Sequence, residues 1–280
     1  MAYALDHDTA LRLVERMLVM RRFEESVHAL AERKLVVGLY HLYIGQEAAG
    51  ASVLEALGPG DFVLSNHRNH GHVVGRGADL GRSLAEILGR ATGLTGGRGG
   101  SVHLCDPSHG FLQTSAILGG NLGLALGAGY ALKRRGNKNV ATVFFGDASL
   151  EEGVGHEVMN LAALQKLPIL FVLENNNLGA LSMHQGGFSA ANTAIKEFIQ
   201  IPQLYGIKTR QFRDGNDVPA IVAAAREAVA DCHAGNGPVF LEIMSVKWPG
   251  GNRIWPQMLT GLTDIEMAWG DHPITGEHRQ

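Results

Sequence analysis

Cysteine is nearly absent. Cys105 and Cys232 are the only two, far apart and outside any metal-ligand spacing. That pattern excludes a disulfide framework and fits a reducing cytoplasm. No apolar run approaches the roughly 18 residues of a membrane span. The first eight positions carry acidic residues where a secretory signal would have its apolar core. The expectation is a soluble, cytoplasmic protein with no membrane partner. Excess charge is missing as well. A formal net charge of −3 gives no electrostatic reason to expect a nucleic-acid partner. The basic run Lys133, Arg134, Arg135 and Lys138 reads as the solvated end of a helix. Repeats and low-complexity linkers are also lacking. With 45% hydrophobic and 18% charged residues the composition is globular. A chain of 280 residues has room for one large domain, or two at most.

Glycine, by contrast, is abundant. Its 37 residues exceed the usual share of about 7% and cluster between Gly93 and Gly136, where close packing or ligand approach is expected. Apolar residues recur three and four apart over 8–34 and predict a helix. A second is read at 46–57, stopped by Gly58-Pro59-Gly60. Residues 61–65 form a short strand candidate, 80–92 a helix, 93–103 a loop and 115–135 an apolar helix. Further on, 206–212 reads as a strand, Asp217 as a helix cap and PVFLEIMSV as a strand. Alternating strands and helices imply an α/β fold with a doubly wound, mostly parallel sheet flanked by helices.

The most informative stretch is 139–177, NVATVFFGDASLEEGVGHEVMNLAALQKLPILFVLENNN. An apolar strand runs into Gly146-Asp147, a helical segment follows, and a second apolar run ends at Glu174-Asn175-Asn176. Pro168 opens that second strand, a tolerated position. Such a unit brings Asp147 and Asn176 to the carboxyl ends of neighbouring parallel strands, where open α/β sheets bind ligands. A carboxylate and a carboxamide suit Mg²⁺ carrying a phosphate, with the Leu178 carbonyl as a third ligand. Short Ala148 and Ser149 would let backbone N–H groups approach that phosphate.

GDASLEEGVGHEVMNLAALQKLPILFVLENNNLGALS resembles the alpha subunit of the thiamine-diphosphate-dependent 2-oxoacid dehydrogenases, including pyruvate, branched-chain and acetoin-type enzymes. YHLYIGQEAAG, SNHRNHG, GRATGLTGGRGGSVH and AILGGNLGLALGAGYALK extend the likeness upstream, over roughly residues 10–245. The resemblance implies the thiamine-diphosphate-binding fold, with residues 1–246 as the diphosphate-binding domain behind an N-terminal helical extension. Residues 247–280 are expected to dock on a partner subunit. Asp147, Asn176 and Leu178 would bind Mg²⁺. Arg68 would contact the diphosphate, since its charged fork suits phosphate oxygens. His67 stands where the family usually has tyrosine. Gly146, Ala148 and Ser149 would complete the diphosphate cradle, and Ala116 and Leu118 would hold the aminopyrimidine. His41 and His70 match positions lining the active-site channel, and His103 closes the glycine-rich loop.

Each of His41, His70 and His103 is a candidate acid or base, because imidazole titrates near neutrality. The bland alternative is a hydrogen-bonded structural residue. His67, His70 and His72 lie close in sequence, but no cysteine is near to complete a zinc site. The glycines at 119, 120, 123, 127 and 129 do not form G-x-G-x-x-G, and no strong strand signal precedes them. A Rossmann dinucleotide reading fails on both counts. They fit a helix packed closely at a subunit interface.

One requirement of the family is missing from the sequence. Its catalytic glutamate belongs to the beta subunit, in a separate pyrimidine-binding domain, and Glu47 does not match that role. The expected assembly is an α₂β₂ heterotetramer with sites at α–β interfaces. The expected reaction is cleavage of a C–C bond beside a carbonyl in a 2-oxo acid or acetoin, with transfer of the acyl or aldehyde unit to an acceptor. A lipoyl acyltransferase is the family's usual acceptor partner. Here KWPGGNRIWP places Pro249 near the position of the family's loop histidine. That departure keeps open a split, non-oxidative transketolase or carboligase acting on ketose-like substrates. A degenerate stabilising subunit is the non-enzymatic alternative.

Overall fold

The computed structural model describes residues 4–36, 38–136, 138–176, 195 and 197–246. Leu178, the segment 179–194 and the tail from Lys247 onward lie outside the described residues. The chain begins with α1 (His7–Glu32), whose N-cap Asp6 accepts the Thr9 N–H at 2.8 Å. Its inward face carries Leu13, Met20, Phe23 and Val27, spaced as the sequence periodicity requires. Then follow α2 (Glu47–Glu55), β1 (Phe62–Ser65), α3 (His70–Gly75), α4 (Leu80–Ile87), β2 (Phe111–Thr114) and α5 (Gly120–Arg134). The second half contains β3 (Ala141–Gly146), α6 (Gly153–Leu164), β4 (Ile169–Asn175), α7 (Gln200–Leu204), β5 (Lys208–Phe212), α8 (Val218–His233) and β6 (Val239–Met244).

Among the described residues all six strands are parallel, in the order β2-β1-β3-β4-β6-β5. The unbroken apolar runs of β3 and β4 are what a sheet covered on both faces demands. Alternation along each strand divides them between two cores. Phe144, Leu170 and Val172 pack toward α1, α2, α3 and α8. Val143, Phe145, Ile169, Phe171 and Leu173 pack toward α5, α6 and α7. Among the described residues, no helix is long and apolar enough to cross a membrane.

Several elements differ from the sequence reading, α3 and α7 being short helices it did not assign. The helix expected over 80–92 stops at Ile87, because Gly89 turns to φ +64° and the chain folds back on α4. The helix expected from 115 starts at Gly120, after Gly119 at φ +72°. β2 was not foreseen, since four residues flanked by a 3₁₀ turn carry too little periodicity. It pairs with β1 at the sheet edge. A strand therefore does precede the glycine-rich helix, although the dinucleotide spacing still fails.

Candidate active site

The connection from β1 leads to β2 on one side, and that from β3 leads to β4 on the other. The strand order thus reverses between β1 and β3, which opens a crevice at their carboxyl ends. β3 ends at Gly146, and Asp147–Leu150 form a 3₁₀ turn in which Asp147 is buried. Gly146 is paired with Glu174 across the ladder, so Asp147 and Asn176 leave adjacent strands just past their last paired residues. The run Glu174-Asn175-Asn176 splits by strand alternation. Asn175 Nδ2 donates to Glu242 on β6 at 2.9 Å, whereas Asn176 Nδ2 donates to Gln46 Oε1 at 3.2 Å.

Arg68 follows β1 in an Asx-type turn, its N–H donating to Asn66 Oδ1 at 2.8 Å. Its Nη1 donates to the Leu42 carbonyl at 3.2 Å, which ties the loop after β1 to the segment before α2. His41 and His67 come together there, with ring centroids 4.7 Å apart at 64°. Ala116 and Leu118 are half-buried in the turn between β2 and α5. A Cβ at Gly119 would meet Val154 Cγ1 at 2.7 Å, so this turn packs directly on the segment that follows Asp147.

The glycine-rich loop is held from beneath by two buried groups. Glu86 accepts backbone N–H groups from Thr95 at 2.8 Å, Gly97 at 2.8 Å and Gly99 at 2.7 Å. Burial alone would raise its pKa, but these donors hold it below the usual carboxylate value. His70 is fully buried, with Nδ1 2.9 Å from Glu24 and Nε2 2.8 Å from Ser101 Oγ. Nδ1 donates to the Glu24 carboxylate, and Nε2 also lies 3.1 Å from the Ser101 carbonyl. His70 therefore ties the loop to α1. His103, at the end of that loop, is exposed and lies 3.5 Å from the Thr114 carbonyl through Nδ1.

His72 faces elsewhere again. Its Nδ1 is 2.9 Å from Ser65 Oγ, its Nε2 is 3.2 Å from Glu174, and its ring stacks on Phe144 at 3.9 Å. The Tyr43 hydroxyl also donates to Glu174. Burial, and then the Glu174 charge, push the Tyr43 pKa well above its ordinary value and keep it a donor. His67, His70 and His72 thus serve three different sets of partners. Among the described residues, no group of three or more His, Cys, Asp or Glu side chains is placed to hold a metal.

Residues 15–270 match the dehydrogenase E1 component family. This chain belongs to that family. The alpha subunit of acetoin:2,6-dichlorophenolindophenol oxidoreductase from Bacillus subtilis (strain 168) is 38% identical over 244 residues, covering 87% of this chain and 72% of the relative. The pyruvate dehydrogenase E1 component subunit alpha of Rhizobium meliloti (strain 1021) is 35% identical over 262 residues, covering 94% and 74%. Its counterpart from Zymomonas mobilis subsp. mobilis is 38% identical over 252 residues, covering 89% and 69%.

Membership of the E1 family implies thiamine diphosphate, and the residues present fit its charged end. Among the described residues, a Cβ built at Gly146 meets no atom within 4 Å, so they leave room above the end of β3. Asp147 and Asn176 supply only hard oxygen and amide donors. A site completed by phosphate oxygens has no need of three ionisable protein ligands. The sequence reading missed Tyr43, Gln46, His72 and Glu174. One signal was available: Glu174 is a charged residue at the end of an otherwise apolar strand. Glu47, set aside from catalysis, pairs with Arg21 through Oε1 at 2.6 Å and Oε2 at 3.2 Å.

Proposed function

We propose that the chain is the alpha subunit of a two-subunit, thiamine-diphosphate-dependent dehydrogenase of the 2-oxo acid or acetoin type. The observation that carries this reading is the exit of Asp147 and Asn176 from the adjacent parallel strands β3 and β4 beside the switch point, within a family match spanning 15–270. In this reading Asp147, Asn176 and the Leu178 carbonyl hold Mg²⁺. Arg68 and His67 reach the diphosphate, and Gly146, Ala148 and Ser149 give it backbone room. Ala116 and Leu118 hold the aminopyrimidine side. When bound, thiamine diphosphate supplies the carbon nucleophile that accommodates negative charge beside the broken C–C bond. The chain's own part is to neutralise phosphate charge, fix the cofactor's position and exclude water. The paired His41 and the exposed His103 are the candidates for proton transfer, and His70 holds the loop that carries His103.

A beta subunit is proposed to supply the catalytic glutamate in an α₂β₂ assembly. On α5, Leu124 and Tyr130 are 46% and 51% exposed beside the exposed Gly123 and Gly127, a surface suited to a partner. The domain limits at 246, the docking role of 247–280, transfer to a lipoyl acyltransferase and a cytoplasmic location belong to the same proposal. The test is turnover of a 2-oxo acid or acetoin with dichlorophenolindophenol as electron acceptor. The chain alone is expected to be inactive, and the chain co-purified with its beta subunit active. Strong activity from the chain alone contradicts the reading.

A further inference from the structure

The buried hydrogen bonds behind Asn176 run in one direction. Glu174, at 2% exposure, receives the Tyr43 hydroxyl, His72 Nε2 at 3.2 Å and Gln46 Nε2 at 3.5 Å. Glu174 fixes the His72 tautomer by accepting from Nε2 at 3.2 Å, which leaves Nδ1 to receive the Ser65 hydroxyl at 2.9 Å. A carboxylate offers acceptors and nothing else. Gln46 must therefore turn its NH₂ toward Glu174, and its Oε1 is the atom left to face Asn176. An amide oxygen also only accepts, so Asn176 answers with its NH₂, at 3.2 Å. A planar carboxamide with its NH₂ anchored on one edge presents Oδ1 along the other.

We propose that Glu174 and Gln46 form a polarity relay that orients the Asn176 amide, so that its oxygen and not its NH₂ is offered to a divalent cation. Both are positioning residues, and the inference rests on the reading of Asn176 as a metal ligand. Shape alone does not fix this orientation, because the two ends of a carboxamide are nearly the same size. Only donors and acceptors distinguish them. The relay begins at a charge because a charge cannot reverse its role as an amide can.

The test is Mn²⁺ titration, followed by the electron-spin signal of the free ion, on the assembled α–β complex with thiamine diphosphate present. Glu174→Gln keeps the shape but adds an NH₂ where an acceptor stood, allowing Gln46 and then Asn176 to turn over. Affinity is expected to fall about 10–100-fold, as for other groups that orient metal ligands. Gln46→Met breaks the link while leaving Glu174 with Tyr43 and His72, and is expected to weaken binding in the same direction. Adding Asn176→Asp to Glu174→Gln restores affinity, since a carboxylate has oxygen on both edges. Unchanged affinity in both single variants, with loss in Asp147→Ala, overturns the relay and leaves the metal reading standing. Loss in Glu174→Gln that Asn176→Asp does not rescue also overturns it, because a purely structural role has that outcome. Unchanged affinity in Asp147→Ala removes the metal reading and the relay together.

Discussion

Cys232 lies in α8 with its Sγ facing the carbonyls of Ile169 at 3.6 Å and Gly237 at 3.5 Å. Burial, and then the nearby Asp231 charge, push its pKa up to about 12. The folded chain is expected to leave Cys232 unmodified by iodoacetamide at pH 8, with labelling only on unfolding. Mass spectrometry of the labelled chain checks this. Gly97 is set by conformation. Its φ is +75°, and an added Cβ would stand 2.6 Å from the Gly89 carbonyl carbon and 2.7 Å from the Arg90 oxygen. Gly97→Ala is expected to destabilise the chain by about 1–3 kcal/mol in denaturant unfolding. At this scale the placement of Asp147 and Asn176 past the ends of neighbouring strands was legible, because each follows an apolar strand within one strand–helix–strand unit. Gln46 was not, since it meets Glu174 across a separation of 128 residues that no local pattern reports.

At the scale of elements, the loop after α4 gives three of its backbone N–H groups to one carboxylate, Glu86. The depressed pKa of Glu86 gives the sign of its pH dependence. Its contribution is fully present above the unfolded value near 4.5 and is lost as pH falls through the lower folded value. Glu86→Gln is expected to cost about 2 kcal/mol at neutral pH, from weakened charge-assisted bonds. It also flattens the fall in stability as the pH drops below the ordinary value of 4.5, as measured by urea unfolding on both sides of it. Phe171, fully buried between β4 and the α5–α6 layer, tests the central strand. Phe171→Ala is expected to lose about 3–5 kcal/mol. The strands β3, β4 and β6 were legible as apolar runs bounded by turn residues. β2 and α3 were too short for their period to show. α4 ended early because Gly89 takes φ +64° and turns the chain back.

For the whole molecule, the alternation of strands and helices allowed the doubly wound sheet to be read, and the structure makes it parallel throughout. The strand order itself was not legible, since it depends on how the two cores close over the sheet. That order places the ends of β1, β3 and β4 side by side, and Arg68, Asp147 and Asn176 each follow one of those ends in the sequence. The central claim is that the crevice at these ends anchors thiamine diphosphate through a divalent cation. Calorimetric titration of thiamine diphosphate into the assembled α–β complex, with and without Mg²⁺, tests it most directly. Saturable binding that requires Mg²⁺ and disappears in Asp147→Ala is the result expected; binding indifferent to Mg²⁺, or unchanged in Asp147→Ala, would contradict it.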